Sequence, residues 1–539
     1  MRISPWLWGA FLGAVTSLPL MALMFLASQL ALVPFVPFDL FDWIARAMPG
    51  NVLAVLIDSM VKVILLLNLG EISHVAKQLE QVIAIGTMVA VSILFGAVIA
   101  LVLTRRTWPA GWIGFAGGSL LFIFIVGIEV FRGFFVNPWL DVPWLALAIV
   151  GWGLLLAHWL GRVVRRAAGP TDYDAYQASR RDLLVKIVGG SVTMALASWG
   201  LGWVLQQQRL ESGANQPLSQ AEPGRPGGAP PPTPQRQTPQ AEGQRIEPAP
   251  GTRPEVTGNE DFYRIDINLF PPSLSQTSWR LRVRGLFDNP RPLSLSDLMA
   301  YPAVMQPVTL SCISNPIGGD LIGNAYWTGV RLVDLLKDLG LRSEAKELSI
   351  EAADGFYESV TMDDLKDQRT LLAYGMNGKT LPIEHGFPLR ILIPNRYGMK
   401  QPKWITGIEA IDRSGRGYWV ERGWSKEARP QVLSIMDVIA KGNIVGGRIP
   451  IGGIAWAGDR GIQKVEVQVD DGPWEAAAVR VPPLGPLTWV QWRYDWLSVA
   501  GRHTFRVRAA DGNGRLQVGQ RSDNYPDGAT GYDSITTTT

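Results

Sequence analysis

The sequence predicts a multi-pass α-helical membrane domain followed by a mixed α+β domain and a small antiparallel β-sandwich. Three observations support this prediction. Residues 1–205 contain long stretches with almost no charge, residues 206–256 are rich in Pro, Gln and Gly, and the remaining residues alternate between strand and helix patterns. Charged residues make up only 18% of the 539-residue chain and mean hydropathy is +0.11, which disfavours a purely soluble protein.

Several stretches in residues 1–205 have the length and composition of membrane-spanning helices. A bilayer core is crossed by roughly 20 apolar residues. The five strongest candidates are Trp6–Leu32, Val82–Leu103, Gly111–Phe131, Val142–Leu160 and Leu183–Leu205. A sixth apolar stretch, Asn51–Gly70, contains Asp58 and Lys62, and this charge favours an interfacial or re-entrant helix over a span.

Positive charge predicts the orientation of these spans. Arg105 and Arg106 follow the second span, and a basic cluster over residues 162–186 lies between the fourth and the fifth. If both clusters are cytoplasmic, five spans also place Arg2 in the cytoplasm, as the positive-inside rule favours, whereas six spans would not. Both counts place the chain after Leu205 outside the cytoplasm, so we expect a multi-pass protein of the cytoplasmic membrane.

The remaining chain divides by composition. Residues 206–256 have almost no large apolar residues and are predicted to form a linker. Residues 257–429 mix a half-buried strand at Trp279–Arg284, a helix at Leu332–Leu339 and a buried strand at Leu389–Ile393, which predicts an α+β domain.

Residues 430–522 contain strand patterns only. Lys464–Val469 alternates with period two and ends at a turn signal, and His503–Arg508 repeats the pattern. A small antiparallel sandwich is therefore predicted. Residues 523–539 are predicted to be a tail, and we expect its low-complexity end, Thr536–Thr539, to be disordered.

Charge and cysteine content exclude several classes of function. The net charge is only +3, which gives no basic field for nucleic acid. The single cysteine, Cys312, excludes an internal disulfide, a Cys-ligated iron–sulfur cluster and a c-type haem site. The sequence has no flavin or nicotinamide motif, so any redox chemistry would need a separate electron donor or acceptor.

Cys312 follows an apolar strand and enters a turn that contains Asn315-Pro316 and Gly318-Gly319. A lone cysteine is more often a small buried apolar residue than a ligand. However, His385, Arg390 and a turn bearing Arg396, Lys400 and Lys403 could supply donors for a dianionic phosphate. A solvated basic loop is the alternative interpretation of these residues.

Four motifs in fixed order support a resemblance. They are Ser311-Cys312 with the Gly-Gly turn, Ala325–Val330, Leu371–Gly378 and His385–Arg390. In this order and spacing they resemble the sulfite oxidase family of molybdenum-cofactor oxidoreductases. The resemblance covers about Asn259 to Arg521. It implies a sulfite-oxidase-like molybdopterin-binding domain and a C-terminal immunoglobulin-like domain that serves dimerisation, so a homodimer is expected.

The resemblance also implies roles for single residues. Cys312 would be the thiolate ligand of molybdenum, and Cys312 and Arg264 would be catalytic. The residues expected to bind the pterin and its phosphate are Tyr263, Arg264, Cys312, His385, Arg390, Lys400, Gln401 and Lys403. The stretch Cys312–Pro316 lacks the arginine that sulfite oxidisers of the family have there, so sulfite is not assigned as the substrate.

These observations predict a membrane-anchored, extracytoplasmic molybdopterin-dependent oxidoreductase. The implied reaction is two-electron oxygen-atom transfer on a small molecule, with electrons exchanged with a cytochrome or the quinone pool. One alternative is a reductase of sulfoxides or other oxo-compounds. Another is a non-catalytic extracytoplasmic binding or scaffold module that keeps the fold without turnover.

The pair Arg180-Arg181 precedes the last predicted span. It resembles a twin-arginine signal, which would export a domain already folded around its cofactor. Alternatively, the two arginines only satisfy the positive-inside rule.

Overall fold

The computed structural model describes residues 4–31, 33–67, 69–106, 108–132, 137–165, 173–210, 214–218, 235–236, 246–272 and 274–539. The chain forms two compact units. The first unit contains Met1–Met48 and Lys77–Ser212, and the second contains Pro49–Ala76 and Gly213–Thr539.

The N-terminal part of the chain is helical, as predicted. Its helices are α1 (Pro5–Ala31), α2 (Val36–Ala47), α3 (Gly50–Leu66), α4 (Ile72–Arg105), α5 (Ala110–Arg132), α6 (Pro138–Arg165) and α7 (Tyr173–Leu210). Within the described residues, α1, α4, α5, α6 and α7 are long and apolar enough to cross a membrane, which confirms the five predicted apolar helices. A sixth span would require α2 and α3, bent by 120° at their junction, to act together.

Glycines allow helices of the first unit to approach closely. A Cβ atom at Gly9 of α1 would lie 2.2 Å from the carbonyl oxygen of Gly96 in α4. A Cβ atom at Gly114 of α5 would lie 2.6 Å from the carbonyl oxygen of Gly153 in α6. Small residues at such crossings leave no side chain between the helices, so the two backbones touch, as in helix pairs that pack within lipid.

The second unit begins with a mixed α+β region. Its strands and helices are β1 (Gln235–Arg236), β2 (Arg282–Gly285), α8 (Leu295–Met299), β3 (Val304–Ser311), β4 (Ile322–Arg331), α9 (Leu332–Asp338), β5 (Glu347–Ala352), β6 (Tyr357–Thr361), α10 (Met362–Lys366), β7 (Leu371–Met376), β8 (Lys379–Thr380), β9 (Arg390–Leu392) and β10 (Ile405–Ile411). One sheet has the order β1-β3-β4-β7-β8 with β9 beside β7, and the other has the order β2-β10-β5-β6.

The predicted helix and strands of this region are confirmed with small shifts. α9 presents Leu332, Leu335 and Leu336 to a core that also contains Leu348 and Ile350 of β5. β2 begins three residues later than the predicted strand at Trp279. In this sheet β3 lies beside β4, and β9 lies beside β7. Cys312 directly follows β3 and Arg390 is the first residue of β9, so both residues lie on segments that flank the β4–β7 pair.

The last region is an antiparallel β-sandwich. Its strands are β11 (Leu433–Ile439), β12 (Arg448–Trp456), β13 (Ile462–Val469), β14 (Trp474–Val479), β15 (Val490–Leu497), β16 (Arg502–Asp511) and β17 (Asp533–Thr538), in the order β11-β12-β15-β14-β13-β16-β17. The predicted strands over residues 464–469 and 503–508 are confirmed as parts of β13 and β16. Trp492, Phe505 and Val467 form the centre of its core.

The expectation of disorder over Thr536–Thr539 is wrong. Thr536–Thr538 belong to β17, which pairs antiparallel with β16 through the register Arg502↔Thr538 to Val507↔Asp533, and the Thr539 amide donates to the Gly501 carbonyl at 2.9 Å. The hydroxyl oxygens of Thr504 and Thr536 lie 2.9 Å apart across the two strands. Threonine is β-branched and favours extended backbone, so a run that looks like low complexity can complete a sheet.

Most of the predicted linker lies outside the described residues, including Pro230–Pro232. Its end, however, is part of the folded unit. Arg253 lies 2.7 Å from Asp437 and Glu255 lies 2.6 Å from Arg480, both in the sandwich. These ion pairs attach Arg253 and Glu255 to the sandwich, although composition alone assigns both residues to the linker.

The segment Pro49–Ala76 belongs to the second unit although it lies among the N-terminal helices in sequence. The amide of Ile72 donates to a carboxylate oxygen of Asp320 at 3.0 Å. Ala54 of α3 is buried in a hydrophobic cluster with Ile313 and Trp424. Therefore α3 packs beside the loop that follows Cys312.

Candidate active site

The loop that presents Cys312 is fixed by hydrogen bonds on both sides. The Cys312 amide donates to the carbonyl of Leu321 at 2.9 Å, and its carbonyl accepts from the amide of Asn315 at 3.1 Å. The side-chain oxygen of Asn315 accepts from the Leu321 amide at 3.0 Å. These bonds close the turn that the Asn-Pro and Gly-Gly pairs predict, with Cys312 at the end of β3.

The thiol of Cys312 is buried, with 8% of the residue exposed. Burial raises its pKa, while the Ser314 hydroxyl, 3.0 Å from Sγ, and the positive charge of Lys403 act in the opposite direction. Without a metal the side chain is therefore a neutral thiol. A bound metal would favour the thiolate, because thiolate is the form that ligates.

Tyr263 lies against the same loop. A Cβ atom at Gly398 would be 2.8 Å from the Tyr263 hydroxyl and 3.4 Å from the carbonyl oxygen of Ser311, so only glycine leaves room for this hydroxyl. Burial raises the pKa of Tyr263, the Cys312 side chain raises it further and Arg390 opposes both. Tyr263 is thus within electrostatic reach of the thiol and of Arg390, and stays protonated.

His385 is the last residue of a 3₁₀ turn, and its ring is buried. Its Nε2 atom lies 2.9 Å from the carbonyl oxygen of Asn259, and its ring meets the edge of Phe262 at 5.4 Å. Burial lowers its pKa to about 3, and the charges of Lys403 and Arg390 contribute. The ring is neutral at pH 7, so Nε2 carries the proton and donates to Asn259. Nδ1 is left as an acceptor.

Arg390 opens β9 and is buried beneath the site. One terminal nitrogen donates to the carbonyl of His385 at 3.1 Å, and the guanidinium lies 4.8 Å from the ring centre of Trp327. Within the described residues its Nε atom is buried and has no hydrogen-bond partner. Burial lowers its pKa to about 10. A buried guanidinium with an unsatisfied donor is a strong candidate to bind an anion.

Lys403 is close enough to Arg390 for the two positive charges to repel each other. Its ammonium donates to the carbonyl of Glu384 at 2.9 Å, lies 4.4 Å from the ring centre of Trp404 and pairs with Asp266. Burial lowers its pKa to about 8, the pair with Asp266 opposes this shift, and the charges of Arg264 and Arg390 add to it.

Asp266 is a site residue that sequence reasoning missed. Its side chain is fully buried and pairs with both Lys403 and Arg264. Arg264 also donates to the carbonyl of Leu269 at 3.3 Å. The available signal was a carboxylate two residues after Arg264 in a segment already assigned to the cofactor.

These side chains form what we call the cofactor cluster: Tyr263, Arg264, Asp266, Cys312, His385, Arg390 and Lys403. Within the described residues, Arg264 and Lys403 pair with the carboxylate of Asp266, and this carboxylate also acts electrostatically on Arg390. The cluster therefore contains more cations than carboxylates. A metal bound through sulfur together with an anionic phosphate fits this donor set.

Lys400 and Gln401, also predicted to bind the cofactor, have other partners. Lys400 pairs with the buried Glu358 at 2.6 Å and donates to the carbonyl of Ser359 at 3.1 Å. The Gln401 side chain accepts from the Ile393 amide at 3.2 Å and donates to the Arg396 carbonyl at 2.9 Å. These contacts support a structural role for both side chains and give no support to their assignment as cofactor ligands.

Tyr397 is a second residue that sequence reasoning missed. Its hydroxyl accepts from the Gln431 amide at 3.0 Å. Burial raises its pKa to about 12, and the Cys312 side chain contributes. Tyr397 and Cys312 line the same small cavity, together with Asn315, Ser434 and Gln517. The thiol therefore lies beside a small cavity whose lining also includes apolar side chains such as Ile317 and Val432.

Comparison with known proteins adds to this geometry. The family described as oxidoreductase molybdopterin binding domain matches residues 268–419. The uncharacterized oxidoreductase YuiH of Bacillus subtilis is 34% identical over 154 residues, which cover 29% of this chain and 76% of that protein. Sulfite oxidase of Arabidopsis thaliana is 28% identical over 285 residues, covering 42% of this chain and 71% of that protein.

A third relative is named as a reductase subunit and not as an oxidase. The putative protein-methionine-sulfoxide reductase subunit YedZ1 of Azospira oryzae is 32% identical over 148 residues, which cover 28% of this chain and 55% of that protein. The matched family region contains Cys312, His385, Arg390 and Lys403, and begins after Tyr263 and Arg264.

Proposed function

Because this chain belongs to the sulfite oxidase family of molybdopterin-dependent oxidoreductases, whose cofactor it binds, we propose that it is a membrane-anchored enzyme for two-electron oxygen-atom transfer on a small molecule. One observation supports this most directly. Arg264 and Lys403 pair with the fully buried carboxylate of Asp266, which also acts electrostatically on Arg390, and the charge of Lys403 acts on the buried Cys312 thiol. An anionic cofactor ligated by that thiol would supply the missing negative charge.

Different residues of the cofactor cluster would bind different parts of the cofactor. Cys312 would hold the metal through Sγ, and loading would release the thiol proton. Arg390 and Lys403 would hold the phosphate, Arg390 with its free Nε donor and Lys403 as a point charge. Nδ1 of His385 would accept from a pterin N–H group. When bound, the cofactor supplies two-electron redox chemistry at molybdenum.

Aromatic side chains exclude water from this cluster. Phe262 stacks on Tyr263 at 5.4 Å and meets Trp327 at 5.6 Å, while Trp404 is buried under Lys403. Removal of water strengthens each ion–ion contact in the cluster. Tyr263 remains a hydroxyl donor beside the metal ligand, because burial disfavours its phenolate.

Metal analysis of the full-length chain tests the proposal. Protein purified in detergent from a host that synthesises the cofactor should contain molybdenum in stoichiometric amount, and its extract should show pterin fluorescence. A chain that folds but contains neither would support the non-catalytic alternative.

A second candidate is reduction of sulfoxides. The name of the Azospira oryzae relative supports it, and so does the absence, in the Cys312–Pro316 stretch, of the arginine that sulfite oxidisers of the family have there. Turnover of methionine sulfoxide with a reduced dye, compared with turnover of sulfite with an oxidised dye, separates the two directions. Efficient sulfite oxidation would reject the sulfoxide candidate.

Membrane anchoring and export are also part of the proposal. Five apolar helices have the length for spanning, and we place the catalytic unit outside the cytoplasm on the positive-inside rule. Arg180-Arg181 would be the export signal; the side chain of Arg180 lies outside the described part. If so, replacement of both arginines by lysine should abolish protease cleavage of the linker in intact spheroplasts. Equal cleavage in both chains would leave the pair with an orienting role only.

The C-terminal sandwich is proposed to be immunoglobulin-like and to form a homodimer, with a cytochrome or the quinone pool as electron partner. The mass of the detergent-solubilised chain by light scattering tests the dimer.

A further inference from the structure

Helix α3 has two apolar faces. One face is buried and contains Ala54, Val61 and Ile64. The other contains five large apolar residues whose exposure lies between 43% and 83%: Val52, Val55, Leu56, Val63 and Leu66. At about 100° per residue, these five fall within a sector about 100° wide, and Val61 lies opposite its middle. We call this sector the outer face of α3.

The buried face of α3 packs closely against the rest of the second unit, to which α3 itself belongs. A Cβ atom at Gly50 would lie 2.2 Å from the carbonyl oxygen of Arg422, so the first turn of α3 touches backbone directly. Ala54 packs with Ile313 and Trp424. The Ile72 amide bonds to Asp320 just beyond the helix. α3 is therefore held by protein along one side.

The outer face has no charged residue. Asp58 and Lys62 lie at its edge, where they pair with each other at 2.6 Å, and Lys62 also lies 3.6 Å from Asp523. Exposed apolar residues continue past the end of the helix at Leu67 and Leu69. Ser59 is the one polar residue in this sector, and its hydroxyl donates to the Val55 carbonyl at 2.7 Å. A largely apolar exposed patch of this kind marks a binding surface, since its exposure to water is unfavourable.

We propose that the outer face of α3 binds the lipid bilayer in its interfacial region, as a membrane contact of the catalytic unit. Continuity of the chain argues for lipid over a protein partner. The chain passes from α3 to α4 within five residues, and α4 is long and apolar enough to span. The inference rests on the proposed membrane insertion of the long helices.

This contact would set the distance between the bilayer and the active site. Ile313, next to Cys312, lies in the same hydrophobic cluster as Ala54 on the opposite side of the helix. The Cys312 loop would therefore lie about one helix diameter, roughly 10 Å, from the membrane surface.

Site-directed fluorescence can test this contact on the full chain. Cys312 is the one cysteine in the sequence and is buried, so a new surface cysteine can be labelled selectively. Leu66→Cys and, separately, Val55→Cys would carry an environment-sensitive dye in lipid nanodiscs. Quenching would be compared among lipids with a spin label near the headgroup, lipids with one near the bilayer centre, and aqueous iodide.

The expected result is at least twofold stronger quenching of both labels by the shallow spin label than by the deep one. Two exposed positions serve as controls: Leu120 in α5 for deep lipid and Val481 in the sandwich for water. Quenching of the α3 labels by iodide alone, by no quencher, or most strongly by the deep spin label would overturn the inference. If the Leu120→Cys label is not quenched by lipid, the proposed membrane insertion fails, and the inference with it.

Discussion

Two groups of cations on one stretch of chain have opposite electrostatic surroundings. Arg396 and Lys400 each have a carboxylate of their own, Asp364 at 2.7 Å and Glu358 at 2.6 Å, and we call these the turn pairs. In the cofactor cluster, Arg390 is buried and Lys403 is nearly so; Lys403 pairs with Asp266, which also pairs with Arg264 and acts electrostatically on Arg390. From this difference we infer that counter-charge, and not residue type, separates the cations proposed to be structural from those proposed to bind the cofactor.

The two groups also differ in what their burial costs. Burial raises the pKa of Glu358, and Lys400 opposes that shift without cancelling it. In the cofactor cluster, burial lowers the pKa of Lys403 to about 8 and that of Arg390 to about 10, and Asp266 opposes both shifts. Each turn pair thus has one carboxylate for one cation, whereas in the cofactor cluster Asp266 is the one carboxylate for three cations, so an added anion would favour the cluster.

The largest expected effect is on Cys312. Cys312→Ser should lower turnover by more than about 100-fold, beyond the range for residues that only orient a ligand, since a hydroxyl is a poor and largely protonated substitute for a thiolate. Its melting temperature should stay near that of the unsubstituted apoprotein. Turnover and molybdenum content measure the effect. Unchanged turnover in this variant would remove the thiolate from the mechanism.

Lys400→Met should break a turn pair and destabilise the protein by about 3–5 kcal/mol, because Glu358 is left buried without its partner. Unfolding followed by Trp fluorescence gives the value. Lys464→Met, at an exposed lysine that pairs with Glu466, is the matched control and should change stability little. A loss of cofactor without loss of stability in Lys400→Met would instead assign Lys400 to the cofactor, as the sequence predicts.

Lys403→Met should have the opposite profile. It removes one of three cations from the cofactor cluster, so the apoprotein should lose less stability than Lys400→Met does. Cofactor retention should fall about 10- to 100-fold, corresponding to a charge-assisted hydrogen bond of about 1.5–3 kcal/mol. Molybdenum content after dialysis measures this. Full retention would mean that Lys403 is as structural as Lys400.

The smallest effect concerns acid stability. The pKa of His385 is about 3 in the folded state and 6.5 when unperturbed, so between these values the unfolded chain binds more protons. Apoprotein stability should therefore fall as pH drops from 6.5 towards 3, and His385→Gln should flatten that slope by up to about 1.4 kcal/mol per pH unit. His503→Gln, outside the cluster, is the control. An identical slope in His385→Gln and the parent would contradict a buried neutral histidine.

Local patterns were sufficient for much of this architecture. Long stretches without charge predicted the five long helices, and the alternation of apolar and polar residues predicted β13 and β16. Cys312, His385, Arg390 and Lys403 came from motif order, and the structure brings them together. These features are encoded in neighbouring residues, so one sequence can reveal them.

Features that depend on distant partners were missed or misread. Asp266 gains its role from Lys403, which is 137 positions away in sequence. The partner of Lys400, Glu358 on β6, was also not predicted, because it lies 42 positions away in sequence. The threonine run was read as disordered because its partner strand, β16, begins 31 residues earlier. Pairing across the fold, and not composition, decides each of these cases.

The position of β17 links the far edge of the sandwich to the turn that follows Cys312. Asp533, its first residue, accepts from the Met436 amide at 2.8 Å, and a Cβ atom at Gly318 would lie 2.6 Å from its carboxylate. The turn that follows Cys312 therefore packs against the first residue of β17. Removal of β17 would take away the carboxylate against which Gly318 lies, so a change far from Cys312 in sequence would loosen the turn that carries it.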